Sequence, residues 1–150
     1  MTVVMPQLID RNQCSALVIT CSDFRFKSTE RAFTEAARLQ DDYDLLARPG
    51  SIRSLVQPRN PSARDSMLDE IRMLWSVHQF ARVLLFNHVS CRAYDDIATP
   101  DNELAIHAGH LRRAVPVIEA MFNGVKADPY IIDCVDGQFI TTKVAITEAP

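Results

Sequence analysis

Two short stretches of this chain carry residue types that could do chemistry together. The first is Cys21-Ser22-Asp23-Phe24-Arg25, directly after the apolar run Ala16-Leu17-Val18-Ile19-Thr20. The second is Asn87-His88-Val89-Ser90-Cys91, directly after the run from Ala81 to Phe86. Cys21, His88 and Cys91 offer two thiols and an imidazole, a set suited to zinc, with bonds of about 2.3 Å to sulfur and about 2.0–2.1 Å to nitrogen. Three such ligands and no evident fourth leave a coordination position open, which is the pattern of a catalytic zinc and not of a structural one. Asp23 can accept a hydrogen bond and direct a lone pair, and Arg25 can hold it ionised through a charge-assisted pair. In extended backbone Cys21, Asp23 and Arg25 point the same way, because strand side chains alternate faces.

These residues converge only if the strands that precede them are neighbours. Ala16–Thr20 reads as a buried strand of a parallel sheet, and the carboxyl ends of such strands are where open α/β sheets bind ligands. A helix is predicted to about Leu39, capped by Ser28 or Thr29, and a strand over 43–47 that ends in the loop Arg48-Pro49-Gly50-Ser51. The stretch 57–61 reads as irregular. Ser62 is the predicted cap of a long helix to about Gln79, followed by a strand over 81–86. A further helix is predicted from about Asn102 to Asn123, closed by Gly124. Strands over 130–135 and 138–142, joined by Asp136-Gly137, form a predicted hairpin. Residues 1–15 read as a weakly patterned lead-in and the tail after Ala145 as frayed. Alternating strands and helices predict an α/β fold, a single domain over 1–150 with a mostly parallel β-sheet flanked by helices and one antiparallel edge strand.

Composition narrows the function classes. The 150 residues are 47% hydrophobic and 23% charged, with a formal net charge of −3. That balance is ordinary for a globular domain and lacks the basic surplus of a nucleic-acid partner. No stretch approaches the ~18 apolar residues of a membrane span. Met1 to Pro6 lacks a basic region followed by an apolar one, so no signal peptide and a cytoplasmic location are expected. The four cysteines are too scattered for a disulfide framework and read as free thiols or metal ligands. Cys14 and Cys134 read as small core residues, His107 and His110 as core or surface histidines, and His78 as a helix-end cation.

Cys-x-Asp-x-Arg after the first strand and His-x-x-Cys after a later one resemble the β-class carbonic anhydrases. The likeness covers most of the chain, including the Arg48-Pro49-Gly50 loop and the closing hairpin. It implies a zinc held by Cys21, His88 and Cys91, and a catalytic pair Asp23–Arg25. It implies reversible hydration of carbon dioxide to bicarbonate through zinc-bound hydroxide, and a homodimer or higher homo-oligomer. In that family the same aspartate can also take the fourth zinc position in a closed form. The chain departs from the family at Asn87 and Arg92, where glycines are usual. Arg92 is expected to narrow the pocket or to pair with an anion. Those departures motivate two alternatives: a different small substrate, carbonyl sulfide or carbon disulfide, or a non-catalytic zinc-stabilised protein.

Overall fold

Strand β1 (Ala16–Thr20) is buried along its whole length, as a run of branched apolar side chains must be when helices cover both faces of a sheet. It lies between β2 (Tyr43–Ala47) and β3 (Arg82–His88), both parallel to it. Strand β4 (Lys126–Val135) runs parallel to β3, and β5 (Gln138–Lys143) pairs antiparallel with β4 at the edge. The order is β2-β1-β3-β4-β5. This computed structural model describes residues 1–4 and 10–147. The protein is therefore an α/β domain with a mostly parallel five-stranded sheet and one antiparallel edge pair, as expected.

Period-two alternation sorts the core into two layers. Leu17 and Ile19 of β1, with Val83 and Leu85 of β3, face α2 (Arg53–Val56), α3 (Pro61–His78) and α4 (Glu103–Glu119), where Leu55, Ile71 and Leu111 complete the layer. Ala16, Val18, Leu84 and Phe86 face the other way, onto Phe26, Phe33 and Leu39 around α1 (Lys27–Ala36). Each large side chain so buried contributes about 1.5–3 kcal/mol. The chain leaves β1 for β2 on one side and then crosses to β3 on the other. The switch point of the sheet thus falls between the carboxyl ends of β1 and β3, the position at which such sheets hold ligands.

Several boundaries differ from expectation, each for a local reason. Asp23, not Ser28 or Thr29, caps the first helical segment. Its side chain accepts from the Arg25 N–H and starts a 3₁₀ turn over Phe24–Phe26 that runs into α1. Asn60 rather than Ser62 caps α3, with Pro61 at the first helical position where a missing N–H costs nothing. Helix α4 ends at Glu119 and the short α2 was not foreseen. Strand β3 continues two residues past Phe86, so His88 is its last residue. Strand β4 begins at Lys126, four residues early, because tertiary pairing with β3 overrides the polar start and Pro129. The hairpin turn is as read: Asp136 and Gly137 both have positive φ, 51° and 76°. Cys134 is exposed near that turn and is not a core residue. The lead-in and tail readings fall partly on residues 5–9 and 148–150, outside the described residues.

Candidate metal centre

Cys21 follows β1 directly, and Cys91 follows β3 through a tight turn in which Ser90 takes the left-handed conformation (φ 53°). Adjacency of β1 and β3 then brings one ligand atom each of Cys21, His88 and Cys91 within 4.8 Å of one another. All three residues are buried. The two sulfurs are 3.9 Å apart, and two zinc–thiolate bonds at a tetrahedral angle would set them about 3.8 Å apart.

His88 carries the sharpest signal. Its Nδ1 lies 2.8 Å from the Val89 carbonyl oxygen. A carbonyl only accepts, so Nδ1 bears the proton and Nε2 presents a lone pair. That Nε2 is buried and has no hydrogen-bond partner, in a side chain only 2% exposed. The ring is also fixed in orientation, stacked on Phe26 at 3.9 Å between centroids. A buried polar atom left unpaired costs about 1–3 kcal/mol unless something absent from the chain satisfies it. An oriented imidazole with a free lone pair beside two thiols fits a divalent cation.

The thiols are poised in the same sense. The contact with the Cys91 thiol, helped by the Gly50 N–H, pulls the Cys21 thiol well below its usual value. The same contact and burial push Cys91 up. The two thiols oppose one another's ionisation, and a cation bound between them would favour ionising both. The Gly50 N–H also points at the Cys21 sulfur, 3.4 Å away. Glycine is required there: φ is 79°, and a Cβ would come within 3.2 Å of the Ala93 Cβ.

Asp23 sits beside this group, its Oδ2 3.9 Å from His88 Nε2. Arg25 grips it: Nε lies 3.0 and 3.1 Å from the two carboxylate oxygens, and a terminal nitrogen is 2.6 Å from Oδ2. The pair does not arise from strand alternation. Strand β1 stops at Thr20, and Arg25 folds back onto Asp23 because both belong to the capped 3₁₀ turn. The Arg25 fork holds the Asp23 carboxyl down to about 2. A terminal nitrogen of Arg25 also donates to the Ser90 carbonyl at 3.0 Å, tying the pair to the turn that carries Cys91. A cavity of about 430 Å³ opens over the group, bordered by Phe24, Pro49 and Ala93. Arg92 borders it too. Its side chain is 89% exposed and is held by Asp95 at 3.0 Å.

A second layer escaped sequence reading. Asn87, Tyr94, His107 and His110 are all buried behind the centre. Asn87 Nδ2 donates to the Tyr94 hydroxyl and to His107 Nδ1, each at 3.0 Å. The Tyr94 hydroxyl donates to His110 Nδ1 at 3.1 Å, and His110 Nε2 to the Gln57 side-chain oxygen at 3.0 Å. Burial lowers both histidines to about 4. The departure at Asn87 thus supplies a hydrogen-bond hub beneath the His88 backbone. The spacing of His107 and His110 hinted at a shared helix face, but their partners lie 16 or more residues away.

An open α/β sheet that gathers two thiols and an imidazole at its switch point, under a clamped carboxylate, defines a β-carbonic-anhydrase-like architecture. The family model described as "Putative carbonic anhydrase" matches residues 11–143, and the chain belongs to that family as a divergent member. An uncharacterized protein of Rickettsia conorii is 25% identical over 127 residues, covering 81% of this chain and 68% of that protein. One from Rickettsia bellii is likewise 25% identical over 127 residues, covering 81% of this chain and 77% of that protein. The carbonic anhydrase from Streptococcus mutans superposes with a TM-score of 0.61 at 12% identity, over 95% of this chain and 88% of that one. The β-carbonic anhydrase isoform I from Trichomonas vaginalis gives a TM-score of 0.54 at 12% identity, over 94% and 87%. At such identities these two structures establish the shared fold.

Proposed function

We propose that this protein catalyses the reversible hydration of carbon dioxide to bicarbonate, with zinc held by Cys21, His88 and Cys91. The observation that carries this reading is the buried, unpartnered Nε2 of His88 between two thiols and a clamped carboxylate. Bound there, zinc supplies the Lewis acidity that makes a hydroxide nucleophile available near neutral pH.

The chain's own residues would do the rest. Asp23, ionised throughout the physiological range, can only accept hydrogen bonds. It would accept a hydrogen bond from the nucleophile's O–H and so turn the free lone pair toward the substrate carbon. Arg25 is a positioning residue, keeping Asp23 charged and fixed by its two-pronged contact. Phe24, Pro49 and Ala93 give the cavity apolar walls suited to an uncharged, linear triatomic substrate. Asp23, gripped by Arg25 and 3.9 Å from His88 Nε2, stands beside the three-member ligand group, which supports an enzyme over a zinc-stabilised structural protein.

Stopped-flow measurement of carbon dioxide hydration, on protein of known zinc content, tests the reading. Turnover well above that of Cys91→Ser is the expected result. Absence of turnover at full zinc occupancy would overturn it and direct attention to carbonyl sulfide or carbon disulfide, resolved by product analysis. We also propose that the chain works as a homodimer or larger. Phe139, Ile140 and Val135 stand 43–46% exposed along the β4–β5 edge, and a monomeric sedimentation coefficient would refute this. No helix among the described residues is long and apolar enough to cross a membrane. A cytoplasmic location is proposed with the rest.

A further inference from the structure

The opposite, amino-terminal edge of the sheet holds a second group of ligand-type side chains. Cys14 lies just before β1, Asp44 is the second residue of β2, and His78 closes α3. One ligand atom of each lies within 4.8 Å of the others. His78 Nδ1 is 2.9 and 2.7 Å from the two Asp44 oxygens. The Cys14 thiol donates to the Ala16 carbonyl at 3.3 Å, and the Cys14 N–H donates to the His78 carbonyl at 3.3 Å. A backbone bond therefore holds the segments of Cys14 and His78 in place independently of their side chains. All three residues are half-buried, and a cavity of about 150 Å³ reaches them. Arg11, which borders that cavity, is already paired with Asp42 at 3.0 Å.

We propose that Cys14, Asp44 and His78 form a second site for a zinc-class divalent cation, separate from the Cys21–His88–Cys91 centre. A thiolate, a carboxylate and an imidazole make a mixed sulfur, oxygen and nitrogen set that zinc accepts. Nitrogen and oxygen ligands of a tetrahedral zinc stand about 3.3 Å apart, and sulfur about 3.5 Å from either. His78 and Asp44 must then separate by a few tenths of an ångström while the thiol swings inward from Ala16. Half-buried side chains facing a cavity have room for both movements. Water from the cavity would complete the coordination.

Binding here releases the thiol proton to solvent and shifts the His78 ring proton from Nδ1 to Nε2, with sulfur–metal and nitrogen–metal bonds formed in their place, so occupancy rises with pH. It also requires breaking the His78–Asp44 and Cys14–Ala16 hydrogen bonds, which makes this the weaker of the two sites. A bound cation would join the entry to β1, the start of β2 and the end of α3.

The test is zinc stoichiometry after dialysis of the full-length protein against excess Zn²⁺ at mildly alkaline pH. Cys14→Ser and His78→Gln, each verified as folded by circular dichroism, are compared with the unmodified chain. One zinc fewer per chain in both variants is expected, whatever the occupancy of the first centre. An unchanged zinc count in either variant overturns the site. Location is read on the unmodified protein by iodoacetamide labelling and peptide mass spectrometry. Zn²⁺ should slow labelling of Cys14 about tenfold or more, because the metal-bound thiolate no longer attacks. The exposed Cys134 serves as the control, with no change expected. Equal labelling of Cys14 with and without Zn²⁺ also overturns the site.

Discussion

The two cysteine–histidine clusters sit at opposite edges of the sheet and differ in how far their groups are satisfied. At the carboxyl edge His88 Nε2 is buried and unpaired, and its ring is locked by Val89 and Phe26. At the amino edge His78 already bonds both oxygens of Asp44, and its side chain is 36% exposed. The first group is prepared for a ligand at the expense of fold stability. The second stabilises the fold a little and must rearrange to bind anything. Unpaired, buried and oriented donors are the structural mark of a high-affinity site; close spacing alone is not.

The largest expected effect separates the two edges directly. Cys91→Ser should lose its zinc and drop carbon dioxide hydration to background, whereas Cys14→Ser should leave turnover unchanged. Loss of a ligand present at a hundredfold its dissociation constant removes about 2.7 kcal/mol of stability. That corresponds to a melting temperature lowered by roughly 5–10 °C, measurable by calorimetry with and without chelator.

Asp23→Asn should keep its zinc and lose about 10²- to 10⁴-fold in turnover, since only the hydrogen-bond acceptor and its charge are altered. Stopped-flow rates set beside elemental analysis would decide this, and near-normal turnover would remove Asp23 from the mechanism.

The buried histidines make a prediction about pH. His107 and His110 are lowered to about 4 by burial, so the unfolded chain binds their protons first. Their contribution is fully present above about pH 6.5 and is lost as pH falls toward 4. The unfolding free energy of chelated protein, read from urea titrations, should fall between pH 7 and pH 5 by on the order of 2 kcal/mol per histidine. A midpoint that rises over this range would show that the histidines are charged in the fold.

Tyr94→Phe should cost about 1–3 kcal/mol, because Asn87 loses an acceptor and His110 a donor in a dry interior. The smallest effect belongs to the amino edge. Without metal, His78→Gln should change stability by less than about 1 kcal/mol, as expected of a half-exposed pair. A loss comparable to that in Tyr94→Phe would mean the two edges are less different than their exposure implies.

The amino-acid sequence by itself determined the strand cores, their alternation with helices, the Asp136-Gly137 turn and the candidate ligands Cys21, His88 and Cys91. Those features are local: apolar runs, turn residues and short motifs act within a few residues of chain. The residues that cap helices lie two to six positions before the predicted ones, because Asn60 and Asp23 already accept from the N–H groups of Ala63 and Arg25 and start the helices earlier. Only the tertiary structure decided that β1 and β3 are neighbours, which turns two weak motifs into one buried group. It alone brought Asn87, Tyr94, His107 and His110 into a single network, and Cys14, Asp44 and His78 to one edge. Strand order and long-range hydrogen bonds depend on the free energy of the whole packed chain, and no spacing along the sequence encodes them.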